Sequence, residues 1–143
     1  MNQDKSKLNA AKKAVESVKN GMTVGLGTGS TAKLAIDLIG DKISEKFKII
    51  GMPTSIKTKN QANNLGIKII GIDDAQIIDL AIDGADEVSP ELDLIKGLGG
   101  ALLREKKVER KAKELIIIVD ESKLVNKLGK GILPVEIKSN GYE

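Results

Sequence analysis

The chain contains no cysteine and no histidine. Thiol chemistry, disulfides, imidazole acid-base catalysis and the usual zinc ligand sets are therefore excluded. Any proton transfer falls to Asp, Glu, Lys or Tyr. A single Tyr and a single Phe among 143 residues cannot build a base-stacking platform, and the lysines are scattered along the chain. The net charge of +3, from 23 basic and 20 acidic side chains, reads as a solvated surface and not as a nucleic-acid face. Long apolar runs are missing as well. Nothing approaches membrane-spanning length, and the polar start from Met1 to Leu8 lacks a signal-peptide core. The expected protein is cytoplasmic, with neither nucleic-acid nor membrane partners.

What is present fits one domain of common size, with 41% hydrophobic residues. Leu8, Ala11, Val15 and Val18 recur at helical spacing, and Asn20-Gly21 supplies a stop. Met22 to Leu26 reads as a strand running into Gly27-Thr28-Gly29-Ser30-Thr31, after which Leu34, Ala35, Leu38 and Ile39 resume a helical period. The alternation continues. A strand is predicted near Phe47 to Met52, a helix opened by Thr54 or Ser55 and closed by Gly66, and strands at Ile67 to Ile70 and Ile77 to Asp83. A helix over Ala101 to Lys113 follows, then a strand from Leu115 to Asp120 whose four consecutive β-branched residues predict full burial. The pattern is that of an α/β protein with a Rossmann-like, open, mostly parallel sheet flanked by helices. No repeat, low-complexity tract or linker precedes Gly129.

Chemistry concentrates between Asp83 and Lys106, where carboxylates, a lysine and glycines lie between two strand-like runs. Carboxylates move protons, an ammonium stabilises a developing oxyanion, and glycines admit a ligand close to backbone amides. Asp83 and Asp86 fall at the end of a predicted strand, where open sheets bind ligands, although Asp-Gly and Ser-Pro are also ordinary turn chemistry. Glu105 shares a helix face with Ala101, Leu102, Val108 and Ala112. Its i+4 neighbour is Glu109, so the helix offers it no lysine there. A partly buried carboxylate has a raised pKa, which suits a general base near neutral pH. Lys96 precedes Gly97-Leu98-Gly99-Gly100 and is either an oxyanion donor or a solvated loop lysine. Upstream, Gly25, Gly27 and Gly29 lead into Ser30 and Thr31 at a helix start, which describes an anion site or an N-capped tight turn equally well. The spacing matches neither the P-loop nor the full dinucleotide fingerprint.

Together, Val24-Gly-Leu-Gly-Thr-Gly-Ser-Thr31, Asp83-Gly-Ala-Asp-Glu87, Lys96-Gly-Leu-Gly-Gly-Ala-Leu-Leu-Arg-Glu-Lys106 and Val119-Asp-Glu-Ser-Lys123 closely resemble ribose-5-phosphate isomerase of the A type. The resemblance runs from the first helix to about Glu136, including Pro53-Thr54-Ser55 and the Leu-Pro-Val-Glu run at Leu133. It implies interconversion of ribose 5-phosphate and ribulose 5-phosphate in the pentose phosphate pathway, with no metal and no cofactor. By that pattern Glu105 carries a proton between the sugar's first two carbons through a cis-enediolate. Lys96 and the amides of Gly97, Leu98 and Gly99 stabilise the enediolate oxygen. Asp83 assists ring opening or proton movement between oxygens, Asp86 positions hydroxyls, and Gly84 and Ala85 lie against the substrate. Thr28, Gly29, Ser30 and Thr31 form the substrate-contacting loop, with Lys123 a ligand and Lys7 a further phosphate contact.

Two departures from the family accompany the match. Leu98 occupies a loop position that is often glycine, so its backbone must suit a branched residue. The family's chain also continues into a small α+β lobe and returns to complete the first domain. Here 1–128 corresponds to the catalytic domain and 129–143 to the start of that lobe or a tail, as in a C-terminally truncated isomerase. Such a chain is expected to show reduced activity and weakened homo-oligomer contacts, because an incomplete sheet exposes an apolar edge. A sugar-phosphate-sensing effector domain is the main alternative; it would need a DNA-binding module and would not need Glu105 and Lys96 together. A coenzyme A transferase fits the Asp-Gly-Ala-Asp and Lys-Gly-x-Gly motifs less well.

Overall fold

The computed structural model describes residues 2–74 and 77–139. The Asn2 side chain caps helix α1 (Gln3–Val15) by accepting from the Asp4 amide, while Lys12 and Lys13 in the last turn complement the helix dipole. The helix stops one turn earlier than the apolar period predicts, and Val18 is buried from the following turn. Then come β1 (Thr23–Leu26), α2 (Ser30–Lys42), β2 (Ile50–Pro53), α3 (Ile56–Asn64), β3 (Lys68–Ile69) and β4 (Ile78–Asp83). Ser55 is the N-cap of α3 and accepts from the Thr58 amide. After two short strands, β5 (Glu87–Val88) and β6 (Leu94–Ile95), the chain forms α4 (Leu102–Glu109), β7 (Ala112–Ile117) and a 3-10 turn (Glu121–Lys123).

The main sheet has the order β3-β2-β1-β4-β7, and every pairing in it is parallel. This is the expected α/β architecture. Because β2 and β3 lie on one side of β1, and β4 and β7 on the other, the strand order reverses between β1 and β4. The loops leaving these two carboxyl ends therefore diverge and open a crevice, the usual ligand position in such sheets. Both glycine-rich β1–α2 and Asp83–Asp86 segments leave from there.

One core joins α1 and α2 to the sheet, with Leu26, Ile36, Ile39, Leu80 and Ile82 buried in it. The other face holds Met52, Ile78 and Val108. Fully burying side chains of this size is worth about 1.5–3 kcal/mol each. Gly25 matters here because a Cβ in its place would lie 2.7 Å from Val108 Cγ1 and 2.9 Å from Ala81 Cβ. Its absence lets α4 press directly on β1. That contact fixes the helix face that also carries Glu105, three residues before Val108.

Several expectations need correcting. The predicted helix through Lys113 ends at Glu109, because Ala112–Ile117 is drawn into pairing with β4. The predicted Leu115–Asp120 strand is β7, shifted three residues earlier. It is also not fully buried. Among the described residues β7 pairs only with β4, so it is an edge strand, and Lys113, Glu114 and Leu115 are exposed. The short antiparallel pair β5–β6 was not expected; two residues per strand carry no readable period. Residues 129–139 form no helix or strand, while 140–143 of the expected 129–143 segment lie outside the described residues. Three consecutive amides in that segment, of Gly129, Lys130 and Gly131, donate to the Glu87 carboxylate. No helix among the described residues is long and apolar enough to cross a membrane.

Candidate active site

Gly29 is the N-cap of α2, with φ of 110°, and no side chain caps that helix end. A residue with a Cβ would be strained in this conformation, which explains the glycine. The capped-turn alternative therefore does not describe the loop. Instead Ser30, Thr31 and Ala32, in the first turn of α2, line a cleft at the end of the helix whose dipole favours an anion. Lys7 reaches from α1 to place Nζ 3.0 Å from Ser30 Oγ, and Lys123 lines the same cleft from the 3-10 turn.

Threonines hold this loop from behind. Thr54 Oγ1 donates to the Leu26 carbonyl (2.9 Å), so in its 2.7 Å contact with Thr28 Oγ1 it accepts. Thr58 Oγ1 donates to the Gly27 carbonyl (2.8 Å). Their support was not foreseen, because only folding brings residues near 54–58 beneath the loop at 27–28.

Asp83 closes β4 and is 1% exposed. Its Oδ1 accepts from the Thr28 amide (3.1 Å) and the Gly84 amide (2.7 Å), tying the two loops of the crevice together. The tie requires Gly27, where a Cβ would sit 2.3 Å from Asp83 Oδ1 and 2.6 Å from the Ile82 carbonyl oxygen. Gly27→Ala is expected to cost about 1–3 kcal/mol through this overpacking, read as a lower urea midpoint with an unchanged slope. An alanine variant as stable as the parent would show that the two loops are not locked here.

On its other side Asp83 presents Oδ2 to Lys96 Nζ at 3.4 Å. Lys96 is no solvated loop lysine: its side chain is 9% exposed and lies 3.0 Å from Glu105 Oε1 and 3.4 Å from Glu109 Oε1. Its ammonium also donates to the Gly84 carbonyl. Glu105, in the first turn of α4, is buried and lines the cleft beside Lys96. Oxygens of Asp83, Glu105 and Glu109 lie within 4.8 Å of one another, and the ammonium occupies the space among them.

Burial and the nearby Asp83 charge push the Glu105 carboxyl up, against the pull of Lys96. Asp83 is pushed up to about 6, chiefly by burial, with Lys96 and the Gly84 amide opposing. Burial alone would lower Lys96, but the facing charges of Asp83, Glu105 and Glu109 outweigh it and raise it, so it remains an ammonium. Glu109 is the member of this group that the sequence did not single out as functional. A glutamate near a helix end is ordinary, so the sequence held no signal for it.

Gly84, Ala85, Asp86, Gly97 and Gly99 complete the cleft together with the residues above. Asp86 Oδ2 accepts from the Leu98 amide (2.9 Å), which links the two glycine-bearing loops. Leu98 is absent from the left-handed backbone positions, as its branched side chain requires. Two predicted contacts stand elsewhere. Asp83 lies beneath the cleft, and the Leu98 side chain projects outward, 59% exposed. The arrangement unites a carboxylate with raised pKa, an ammonium beside it, and an anion-favouring helix end across the cleft. It can abstract a proton next to a carbonyl and stabilise the resulting oxyanion.

Residues 50–143 match the family Ribose 5-phosphate isomerase A (phosphoriboisomerase A). The chain is 55% identical over 141 residues to a probable ribose-5-phosphate isomerase 3, chloroplastic, of Arabidopsis thaliana, covering 96% of this chain and 51% of that protein. It is 47% identical over 137 residues to ribose-5-phosphate isomerase A of Bradyrhizobium diazoefficiens, covering 96% of this chain and 57% of the relative. Ribose 5-phosphate isomerase A from Methanocaldococcus jannaschii superposes with a TM-score of 0.85 at 46% identity, over 90% of this chain and 57% of that one. A D-ribose-5-phosphate isomerase in complex with phospho-erythronic acid gives the same values for score, identity and coverage. The chain thus spans between half and three fifths of the length of these relatives.

Proposed function

The chain belongs to the ribose 5-phosphate isomerase A family, and from that premise we propose that it interconverts ribose 5-phosphate and ribulose 5-phosphate within the pentose phosphate pathway. The observation that carries this reading is Glu105 lining the cleft with Lys96 Nζ 3.0 Å away, opposite the uncapped start of α2. In the open-chain aldose, Glu105 removes the proton from C2, leaving a cis-enediolate, and returns it to C1 while the O2 hydroxyl proton passes to O1, so that C2–O2 becomes the carbonyl of the ketose. Lys96 and the amides around Gly97 and Gly99 stabilise the oxygen that gains charge. The phosphate sits against Ser30 and Thr31, with Lys7 and Lys123 as cations. Asp86 holds sugar hydroxyls. Asp83 acts from below, through Lys96 and the two loops it ties.

The phospho-erythronic acid bound by one relative carries a phosphate at one end and a carboxylate at the other, which are the two charges this cleft would separate. We further propose a cytoplasmic location and a homo-oligomeric form. The exposed apolar side chains of Leu115, Ile132, Leu133 and Val135 give a second copy something to cover.

The test is formation of ribulose 5-phosphate from ribose 5-phosphate by this chain, followed directly in a coupled assay. Turnover supports the proposal. Binding of ribose 5-phosphate without any turnover would instead favour a sugar-phosphate-sensing role.

A further inference from the structure

Among the described residues, two buried side-chain oxygens have no hydrogen-bond partner, Asp83 Oδ2 and Glu109 Oε1. They face the same ammonium, each 3.4 Å from Lys96 Nζ. Lys96 has three N–H groups to give. One goes to the Gly84 carbonyl and one to Glu105 Oε1, which leaves a single N–H for the two remaining oxygens. Three carboxylates around one ammonium would also leave a buried surplus of negative charge, which is costly in a site this enclosed. One proton held between the two orphaned oxygens removes both difficulties. It donates from one carboxyl to the other, and it cancels one charge.

Glu109 does not line the cleft. It reaches the cluster from the opposite side, where Lys106, Leu133 and Pro134 border a separate recess. It cannot touch a substrate held at Glu105. We propose, as an extension of the isomerase reading and resting on it, that Glu109 is a positioning residue: with Asp83 it holds a shared proton, and by sharing the Lys96 ammonium with Glu105 it keeps that cation from acting on Glu105 alone, leaving Glu105 basic enough to abstract a proton. The charged groups facing this pair are Lys96 from the segment after β6 and Glu105 from α4, with Lys106 bordering the same recess as Glu109 and Asp86 acting on Glu105 across the cleft. The upward push on Asp83, to which Glu109 contributes by both its charge and a hydrogen bond, is consistent with the shared proton.

The test titrates the Asp83 and Glu105 carboxyl carbons by NMR in the unmodified chain, in Glu109→Gln and in Glu109→Asp. The Gln side chain keeps the shape, removes the charge and offers Asp83 an amide donor. In Glu109→Gln both midpoints are expected to fall by about one pH unit, Asp83 from its value near 6. Glu109→Asp should restore part of the shift, which a merely structural contact would not do. Unchanged midpoints in a folded Glu109→Gln protein would overturn the proposal; if that variant does not fold, Glu109→Asp decides, since shortening the carboxyl must still move Asp83. In the isomerase assay the acid limb of the kcat profile should move down by the same amount, with kcat falling about tenfold and KM little changed. Absence of turnover in the unmodified chain would count against the isomerase reading, while the carboxyl titration would still decide the role of Glu109.

Discussion

Glu105→Gln should reduce kcat for the proposed ribose 5-phosphate isomerisation by about a thousandfold while leaving the fold intact. Positioned general bases contribute roughly two to four orders of magnitude, and the amide cannot accept the C2 proton. The substitution is isosteric, and the Gln carbonyl oxygen can keep the Lys96 contact that now spans 3.0 Å. Stability should not fall at neutral pH. Burial holds the Glu105 carboxyl above its ordinary value, so its ionised form is a burden on the folded state that grows as pH rises. Removing the charge lightens that burden. The expected result is therefore loss of the proposed activity with an unchanged or higher urea midpoint. A kcat within tenfold of the parent would place the base on another residue.

Lys96→Met should do the opposite to stability, lowering it by about 3–5 kcal/mol near neutral pH and abolishing measurable turnover. Against a typical total of about 5–15 kcal/mol for such a domain, that loss is large. Methionine fills the space of the lysine stem but leaves Asp83, Glu105 and Glu109 facing one another without a cation. The folded-state pKa values of Asp83 and Glu105, already raised, must then rise further. A carboxyl whose folded pKa exceeds its unfolded value binds protons preferentially in the folded state, so stability increases as pH falls through that window. The gap between Lys96→Met and the parent should accordingly narrow between pH 7.5 and pH 5, measured by urea unfolding at both. An equal loss at both pH values would show that the lysine contributes packing and not charge compensation.

How much of this was readable before folding depends on the residue. The strand-glycine-helix unit around Gly27 was legible because the change from apolar strand to helical period marks its ends. Glu105 stood out because it lay on an apolar helix face with no lysine at i±4. Its actual cation, Lys96, is nine residues earlier and outside the helix, and the loop from Gly97 to Ala101 brings it back. Glu109 carries no local anomaly at all, since a glutamate near a helix end is ordinary. Only the three-dimensional count of donors around Lys96 exposes it. The run Ile116–Val119 misled for a related reason: β-branched residues report a preference for strand, whereas burial is decided by neighbours, and β7 has a neighbour on one side only among the described residues.

Adjacent strands in a sheet lie about 4.8 Å apart, a spacing that side-chain substitutions barely alter. Since β1 and β4 are adjacent, and one oxygen of Asp83 grips both the Thr28 and Gly84 amides, the β1–α2 loop and the loop beside Lys96 cannot drift relative to each other. The cleft then works as a fixed gauge. On the proposed reading, selectivity for the number of carbons between phosphate and carbonyl would reside in the backbone spacing of two strands, beneath any side chain that touches the sugar.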